Sequence, residues 1–396
     1  MAVDVRDTAR APETPFWLDA RYRAIMFQVI LLVLVVGFAG YIFYNTYQNL
    51  QRRGIASGFD FLGSTAGFDI IMHLVPYAAS ESFGRALLVG LLNTLAVAAI
   101  GIVLATILGF VVGVARLSRN WLISRIASIY IEVIRNIPLL LQIIFWYQVL
   151  GKSTPGPRQS IDIGGLFFIN NRGLYMPAPV TEPGFWLTPV AFAAGVVATI
   201  VMHRWARARQ MATGQQFPVL WTALGLIFGL PILVLLVTGM PFHWDYPKLQ
   251  GFNFSGGMVL IPEFISLTFA LVIYTGAFIG ENVRAGIMAV NHGQTEASYA
   301  LGLRPGPTLR LVVIPQAMRV IIPPLTSQYL NLTKNSSLAT AIGYPDLVAV
   351  FAGTVLNQTG QAVECIAITM GVYLFLSLTT SVFMNWFNRR VALKER

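Results

Sequence analysis

Cysteine and charge are scarce in this chain. A single cysteine, Cys365, occurs among 396 residues, which excludes a disulfide within the chain and a cysteine metal cage. The four histidines, His73, His203, His243 and His292, are scattered, so a zinc or haem site has little support. Charged residues make up only 11% of the sequence, whereas a soluble domain carries roughly a quarter. The sequence therefore indicates an integral membrane protein.

Apolar residues dominate what remains. The sequence is 56% hydrophobic, with a mean hydropathy of +0.66. The seventh apolar run contains Pro323 and Pro324, which predicts a broken span that is buried in protein or lines a cavity. The first run follows a long polar segment and is predicted to be a membrane anchor rather than a cleaved signal peptide. The eight runs that can cross a bilayer are 24–44, 87–114, 126–150, 186–202, 219–237, 261–289, 318–332 and 366–386. The predicted fold class is an all-α polytopic membrane protein.

Basic residues indicate the orientation of these spans. Arginines are concentrated in the two terminal segments and in the connections after the second, fourth and sixth runs, so these parts are predicted to be cytoplasmic. Both termini then lie inside the cell, and the net charge of +10 needs no nucleic-acid partner. The exterior segments 45–85 and 151–184 are rich in Gly, Pro and Ser, which predicts irregular loops.

A polar segment of the sixth connection, GQTEASYALGLRPGPTLRLVVIPQ (293–316), has its own helical pattern. Thr295 is the predicted N-cap of a short helix whose first turn contains Glu296. Gly302 is predicted to end the helix in a left-handed turn, and Pro305 and Pro307 oppose its continuation. The segment is therefore expected to present a rigid helix to the cytosol. The alternative is a surface helix that only links two spans.

The spacing within this segment resembles a known pattern. Glu296-Ala297-Ser298, Gly302 and Val312-Val313-Ile314-Pro315 fit E-A-A-x3-G-x9-I-x-L-P, with conservative departures at Ser298, Val312 and Ile314. The chain thus resembles the membrane subunits of bacterial binding-protein-dependent ABC importers. The resemblance implies a type I importer transmembrane domain, with a core of five helices plus one N-terminal and two inserted helices. It also implies an ATPase-coupling helix formed by Glu296, Ala297, Ser298, Tyr299, Ala300, Gly302 and Leu303.

Other segments narrow the resemblance to amino-acid permeases. Residues 132–142 fit the pattern E-x-x-R-x-x-P-L-L-x-Q, and 274–287 and 332–347 also resemble polar amino-acid permeases, with Asn282 as a departure. The two extra spans resemble the enlarged permease subunits of general L-amino-acid importers. The predicted parts are a cytoplasmic segment 1–23, a first helix with its exterior loop 24–85, core parts 86–150 and 259–390, an insertion 151–258 and a tail 391–396. The coupling helix occupies 293–307 within the second core part.

Polar side chains inside the spans are candidates for the transport pathway, since such residues are costly in lipid and usually face a partner or a cavity. Glu132 with Arg135, and Glu281 with Arg284, are spaced to pair along a helix, and a purely structural role for both pairs stays open. Lys334 is a candidate ligand or a side chain that extends to the outer interface. The substrate-pathway candidates are Asn93, Thr94, Gln142, Tyr274, Thr275, Gln328, Asn331 and Lys334.

The sequence offers no nucleotide site of its own. Gly151-Lys152-Ser153 resembles the end of a phosphate-binding loop, but Trp146 occupies the position of its first glycine. The resemblance implies that a partner ATPase uses ATP and Mg²⁺, while this chain binds no cofactor or metal. It implies a second permease subunit (a heterodimer), two ATPase subunits, an exterior amino-acid-binding protein and an L-amino acid as substrate, in the bacterial cytoplasmic membrane. The alternative is an ion-coupled secondary amino-acid transporter; an intramembrane enzyme lacks an activated nucleophile.

Overall fold

The protein consists mainly of long helices. The computed structural model describes residues 20–52, 54 and 58–391, so most of the predicted segment 1–23 and of the tail 391–396 lies outside the described residues. Within that part of the chain, the α-helices are α1 (Ala20–Arg52), α2 (Phe83–Arg116), α3 (Trp121–Asn136), α4 (Leu139–Ser153), α5 (Leu187–Thr213), α6 (Val219–Leu224), α7 (Leu230–Val237), α8 (Pro262–Met288), α9 (His292–Ala300), α10 (Pro305–Thr308), α11 (Ile314–Asn335), α12 (Leu356–Thr359) and α13 (Ala362–Val391).

Shorter helical turns connect several of these elements. π-helical turns join α6 to α7 at Gly225–Gly229 and α10 to α11 at Leu309–Val313, and a third one, Val348–Val355, precedes α12. Seven helical segments of the described chain are long and apolar enough to cross a membrane, and the bent pair α3 and α4 makes eight. This agrees with the predicted number of spans and confirms a polytopic helical protein.

Small residues bring α2 and α8 into close contact at the centre of the fold. Gly101, Ala105, Gly109 and Gly113 recur every fourth residue on the buried side of α2. A Cβ atom added to Gly113 would lie 2.6 Å from the carbonyl oxygen of Gly280 on α8. Lipid chains are as apolar as the helices, so helix association in a membrane depends on such close backbone packing. The pair α2–α8 is the core against which α3, α4 and α11 pack.

The third predicted span is bent rather than straight. Helices α3 and α4 meet at an angle of 107° across Ile137 and Pro138. Proline has no N–H to donate to the carbonyl of Ile134, which frees backbone acceptors at the bend. The Gln142 side chain lies here and its Nε2 donates to the carbonyls of Ile134 and Ile137, at 3.0 Å each. The predicted single span 126–150 did not include this bend, although Pro138 lies within it, and the helices extend beyond that range to 121 and 153.

The prediction of a break at Pro323 and Pro324 is wrong. Helix α11 continues through both prolines, whose rings are exposed, to Asn335. The apolar segment of which α11 is part begins at Pro305, because proline is well accommodated in the first turn of a helix, where its missing N–H leaves no intrahelical bond unmade. The span is therefore much longer than the predicted 318–332.

The segment 151–184, predicted to be an irregular exterior loop, contains strands. Its strands are β1 (Ile161–Ile163), β2 (Phe167–Asn170), β3 (Gly173–Met176) and β4 (Ala178–Thr181), and the chain after α7 adds β5 (Phe242–Asp245), β6 (Lys248–Gln250), β7 (Asn253–Ser255) and β8 (Met258–Leu260). Antiparallel pairing gives one sheet in the order β1-β2-β3-β8 and two further pairs, β4–β5 and β6–β7. Gly164 and Gly165, both at φ +69°, form the first hairpin turn between β-branched and aromatic residues. The glycine content thus marks tight turns between strands.

The inserted helices form a hairpin of their own. Helix α5 runs against the combined helix of α6 and α7, and a Cβ atom on Gly195 would lie 2.2 Å from the carbonyl oxygen of Leu226. Residues 219–237 form a helical segment with the predicted bounds. Helix α5 extends to Thr213, well past the predicted residue 202, so Arg204, Arg207 and Arg209 lie on a helix rather than in a loop.

Candidate functional site

The polar segment after α8 forms the short helix α9. It begins at His292, where the Asn291 side chain accepts a hydrogen bond from the N–H of Gly293 at 2.9 Å. The prediction that Thr295 is the cap is therefore wrong, because Asn291 is an equally good capping residue and lies one turn earlier. Glu296 falls in the second turn, where its carboxylate lies 2.9 Å from Nδ1 of His292.

Gly302 ends the helix as predicted, with φ at +80°. The N–H of Gly302 donates to the carbonyl of Tyr299 at 2.9 Å, and the N–H of Leu303 donates to that of Ser298 at 3.1 Å. This pair of bonds is the Schellman arrangement, which satisfies the last carbonyls of a helix and favours glycine at the left-handed position. Pro305 is the first residue of the next helix, α10. The chain therefore turns away from α9 and enters the next membrane helix directly.

Most of the predicted coupling residues are exposed. Tyr299 is 49% exposed, and Glu296, Ala297, Ala300 and Gly302 are also exposed. The neighbouring Leu301, which was not among the predicted residues, is 82% exposed. Leu303 is half-buried. Ser298 is buried, and its hydroxyl donates to the carbonyl of Gln294 one turn earlier, so this departure from the alanine of the pattern leaves no unpaired group. Apolar side chains of this size stand free on the surface of α9, next to a helix that enters the membrane.

A cluster of charges joins α2, α3 and α8 near the start of the α9 segment. Glu281 accepts hydrogen bonds from both Arg284 and Arg116, and its side chain is 22% exposed. Arg116 also lies 3.2 Å from Glu132. The predicted pairing of Glu132 with Arg135 is not what the structure contains. Arg116, at the end of α2, lies between the other two helices and binds Glu132.

Arg135 instead interacts with an aromatic ring. Its guanidinium lies over the ring of Phe278 on α8, 4.9 Å from the centroid. Arginine stacks well on aromatic faces because its planar cation is weakly hydrated. Salt bridges and a cation–π contact thus connect α2, α3 and α8. On α8 these contacts lie within about two helical turns, from Phe278 to Arg284.

Several of the pathway candidates hold the protein backbone in place. Asn93 is fully buried, and its Nδ2 donates to the carbonyls of Met72 and Pro345 at 2.8 and 2.9 Å. Thr94 accepts from the N–H of Leu347 at 3.0 Å. Gln142 bonds the carbonyls at the bend between α3 and α4, as described above. These side chains fix the irregular segment 343–347 and the bend through the bonds just described. The buried Oδ1 of Asn93 and Oε1 of Gln142 have no hydrogen-bond partner among the described residues.

The remaining candidates lie apart from this group. Thr275 is buried in α8, and the ring of Tyr274 packs 5.0 Å from that of Phe278. Gln328 is half-buried, whereas Asn331 and Lys334 are exposed on α11. Lys334 borders an open groove of about 470 Å³ that is also lined by Ser337, Thr369, Tyr373 and Ser377. The structure therefore does not gather the eight candidates into one cavity.

Sequence reasoning missed Asp346. This carboxylate is fully buried between the helical turns that follow α11, where it accepts from the N–H of Ala349 at 2.9 Å and from the Tyr373 hydroxyl at 3.3 Å. An acidic residue in the apolar stretch AIGYPDLVAVF was the available signal, since a carboxylate in such surroundings is normally functional or tightly bonded. Tyr373 connects it to the groove beside Lys334.

The GKS triplet takes no part in a phosphate-binding loop. Gly151, Lys152 and Ser153 form the last turn of α4, whereas a phosphate-binding loop lies before a helix N-terminus. Among residues 20–52, 54 and 58–391, no three His, Cys, Asp or Glu side chains come together as metal ligands.

Similarity to known proteins identifies the class. Residues 208–393 match the family model described as "Binding-protein-dependent transport system inner membrane component". The chain belongs to this family of ABC importer permease subunits, which lack an ATP-binding site of their own, and it is a multi-pass protein of the inner membrane. The predicted resemblance to the membrane subunits of binding-protein-dependent ABC importers is confirmed.

Within that family the chain is most informatively compared with three amino-acid permeases. It is 55% identical over 374 residues to the putative amino-acid ABC transporter permease protein YhdX of Escherichia coli strain K12, covering 94% of this chain and 95% of that one. It is 53% identical to the general L-amino acid transport system permease protein AapQ of Rhizobium johnstonii, covering 96% and 94%. It is 44% identical to the glutamate/glutamine/aspartate/asparagine transport system permease protein BztB of Rhodobacter capsulatus, covering 96% of each. The chain is an amino-acid ABC transporter permease, and these relatives do not support the ion-coupled alternative.

Proposed function

We propose that this chain is a translocation subunit that imports L-amino acids by alternating access, and that α9 couples it to an ATPase. The family supports the import of amino acids, and the exposed surface of α9 supports the coupling role. The observation that carries the proposal is the free apolar tip of α9, Tyr299 and Leu301, between two membrane helices. A helix that only linked two spans would gain nothing from leaving Leu301 82% exposed outside the lipid.

The complete transporter contains further subunits in this proposal. Two ATPase subunits bind ATP and Mg²⁺, a second and different permease subunit completes the pathway, and an exterior binding protein delivers the amino acid. This chain itself binds no cofactor. The basic segments and both termini face the cytoplasm, which places α9 on the side where ATPase subunits bind.

ATP-driven closure of the ATPase pair shifts the spans between inward-open and outward-open states. Because α9 is a closed unit, with Asn291 at its start and the Gly302 turn at its end, it moves as a rigid body. Short connections join α9 to α8 before it and to α10 after it. A displacement of α9 is therefore transmitted to α8 and, through α10, to α11. Such a transition is a shift between two discrete packings, each favoured by a different nucleotide state.

Amino-acid contact is assigned to the more open candidates, Gln328, Asn331 and Lys334. A carboxylate needs a cationic partner, and Lys334 is the charged residue of this group, beside the groove lined by Ser337 and Tyr373. Asn93, Thr94 and Gln142 are assigned a supporting role, since their donors already bond backbone carbonyls. Glu281, Arg284 and Arg116 stabilise the inner ends of the spans.

The docking proposal is tested with Leu301→Asp in the full complex. A charge at the centre of an interface costs on the order of 2 kcal/mol, so co-purified ATPase and amino-acid uptake should both fall more than about tenfold. Met211→Asp is the matched control, because Met211 is an equally exposed apolar residue (86%) on the same predicted side. It should leave both readouts unchanged. Normal uptake by Leu301→Asp would contradict the proposal.

A further inference from the structure

The inserted hairpin carries an unbalanced positive charge. No aspartate or glutamate occurs between Glu182 and Asp245, whereas the same stretch contains Arg204, Arg207 and Arg209. None of the three forms an ion pair with an acidic side chain of the described residues. The hairpin therefore has cationic groups that its own residues do not neutralise, and amino-acid transport does not account for them.

A cavity of about 410 Å³ lies where α5 ends and α6 begins. Its polar lining consists of His203, Arg207, Gln210 and Gln216, and Phe217 forms part of its apolar wall. A guanidinium presents five N–H groups, each glutamine amide presents two, and a histidine ring adds at least one. Carboxylates are absent from the lining. This set of donors suits an anion with several oxygen atoms.

The neighbouring arginine is held away from the cavity. The Arg209 guanidinium lies 5.4 Å from the ring centroid of Trp205, and its Nη2 donates to the side-chain oxygen of Gln215 at 2.8 Å. Arg204 is not part of the lining. Arg207 is thus the guanidinium that faces the cavity, and the local structure distinguishes it from two arginines on the same helical stretch.

The end of α5 is also prepared for an anion. The last carbonyls of a helix carry partial negative charge and would repel one. Here the N–H of Gly214 donates to the carbonyl of Gln210 at 2.9 Å, and the Thr213 hydroxyl donates to that of Arg209 at 2.8 Å. These bonds occupy two carbonyls at the C-terminal end of α5, one of them that of the lining residue Gln210.

Aromatic rings place the cavity at the level of the lipid head groups. Trp205 and Trp221 are 50% and 75% exposed near this end of the hairpin, and Phe217 packs edge-on against Trp205 at 5.4 Å. Exposed tryptophans are enriched at the boundary between membrane and water. Basic pockets between membrane helices at this depth bind anionic lipid head groups.

We propose that the cavity around Arg207 binds a phosphate group, provided by an anionic phospholipid or by inorganic phosphate. The guanidinium forms paired hydrogen bonds with two phosphate oxygens, a geometry that arginine provides and lysine does not. Gln210 and Gln216 donate to the remaining oxygens. The site stands independently of the transport proposal, since none of its residues belongs to the coupling helix or the pathway.

The test uses the purified full-length chain and compares Arg207→Gln with Arg204→Gln. Both variants remove one charge from the same exposed helix, but only Arg207 lines the cavity. Native mass spectrometry counts bound phosphatidylglycerol, with phosphatidylcholine as the zwitterionic reference. Retention of phosphatidylglycerol should fall about fivefold in Arg207→Gln, the factor that corresponds to about 1 kcal/mol per arginine near an anionic surface. Arg204→Gln should retain it.

A second arm separates the two sources of phosphate. Inorganic phosphate is titrated against the lipid-stripped chain and against the lipid-loaded chain. Saturable phosphate binding that requires Arg207 and displaces no lipid assigns the site to free phosphate, while Arg207-dependent lipid retention without phosphate binding assigns it to the phospholipid. Equal losses in the two variants would reveal diffuse charge attraction and overturn the proposal. Full retention of phosphatidylglycerol in Arg207→Gln together with unchanged phosphate binding would overturn it as well. Thermal unfolding of both variants verifies that the hairpin is intact.

Discussion

Two helix pairs, α2 with α8 and α5 with the combined helix of α6 and α7, are both closely packed through glycines but differ in their burial. In an apolar 18-residue stretch of α8, 72% of the residues are buried, whereas the values for the corresponding stretches are 11% in α5 and 6% in the combined helix of α6 and α7. Both pairs rely on glycines that meet a facing carbonyl, Gly113 in the core and Gly195 in the hairpin. The core pair is surrounded by other helices and holds the charge cluster and α9. The hairpin packs mainly on itself, which leaves its surface available to lipid. Close backbone packing thus holds together both the central pair α2–α8 and the separate inserted hairpin.

The largest effect is expected for Gly113→Leu. The added side chain would meet the carbonyl of Gly280, which is backbone and cannot move aside, so the α2–α8 pair should lose about 3 kcal/mol or more. Monodisperse protein after detergent extraction should drop sharply. Gly371→Leu is the matched control, because nothing lies within 4 Å of a Cβ atom at that position. Equal yields for the two variants would show that the core pair is not closely packed.

Gln142→Leu should have the next largest effect. It removes the amide that donates to the carbonyls of Ile134 and Ile137 in a buried position, and such a loss costs about 1–3 kcal/mol. The melting temperature of the purified chain should fall. The exposed Gln148 on the same helix provides the control, and Gln148→Leu should melt like the unaltered protein. An unchanged melting temperature in Gln142→Leu would mean that the bend does not depend on this side chain.

Gly195→Leu should separate the hairpin without unfolding the core. The clash with the carbonyl of Leu226 lies within the inserted pair, so the expected result is faster proteolysis near Gly214 with normal ATPase co-purification. Gly229→Leu, which has open space around it, should remain resistant to the protease. If Gly195→Leu lowers the yield as much as Gly113→Leu does, the hairpin is an integral part of the core.

The smallest effect is expected for Ser298→Ala. The hydroxyl bonds a carbonyl of its own helix, and alanine favours helix formation, so stability should change by less than about 0.5 kcal/mol. Uptake should stay normal. Ser298→Leu, at the same buried position, should reduce uptake through overpacking. A large loss in Ser298→Ala would give the hydroxyl a role that its position within α9 does not explain.

Local patterns with a direct physical cause were predicted well from the sequence. The left-handed turn at Gly302 follows from glycine's freedom at positive φ, and the 219–237 span follows from hydropathy. Gly101, Ala105, Gly109 and Gly113 form a readable small-residue stripe that the sequence analysis overlooked. It would have pointed to the α2–α8 core.

Features that depend on tertiary contacts were not predicted. Glu132 pairs with Arg116 and not with Arg135, and this pairing depends on where α2 ends relative to α3 and α8. Strands that precede the inserted hairpin in the sequence pair with strands that follow it, as in β3 with β8. The continuation of α11 through Pro323 and Pro324 depends on its surroundings, because local sequence alone favours a break there.

Cross-linking tests directly whether α9 contacts the ATPase. The buried Cys365 is first replaced in Cys365→Ser, and a new thiol is placed on the exposed face of α9 with Ala297→Cys or, as control, on α5 with Met211→Cys. A short thiol-reactive cross-linker is then applied to the assembled transporter. We expect a single adduct between Ala297→Cys and an ATPase subunit, with a yield that changes with bound nucleotide, and no adduct from Met211→Cys. No adduct from Ala297→Cys, or equal adducts from both positions, would contradict it.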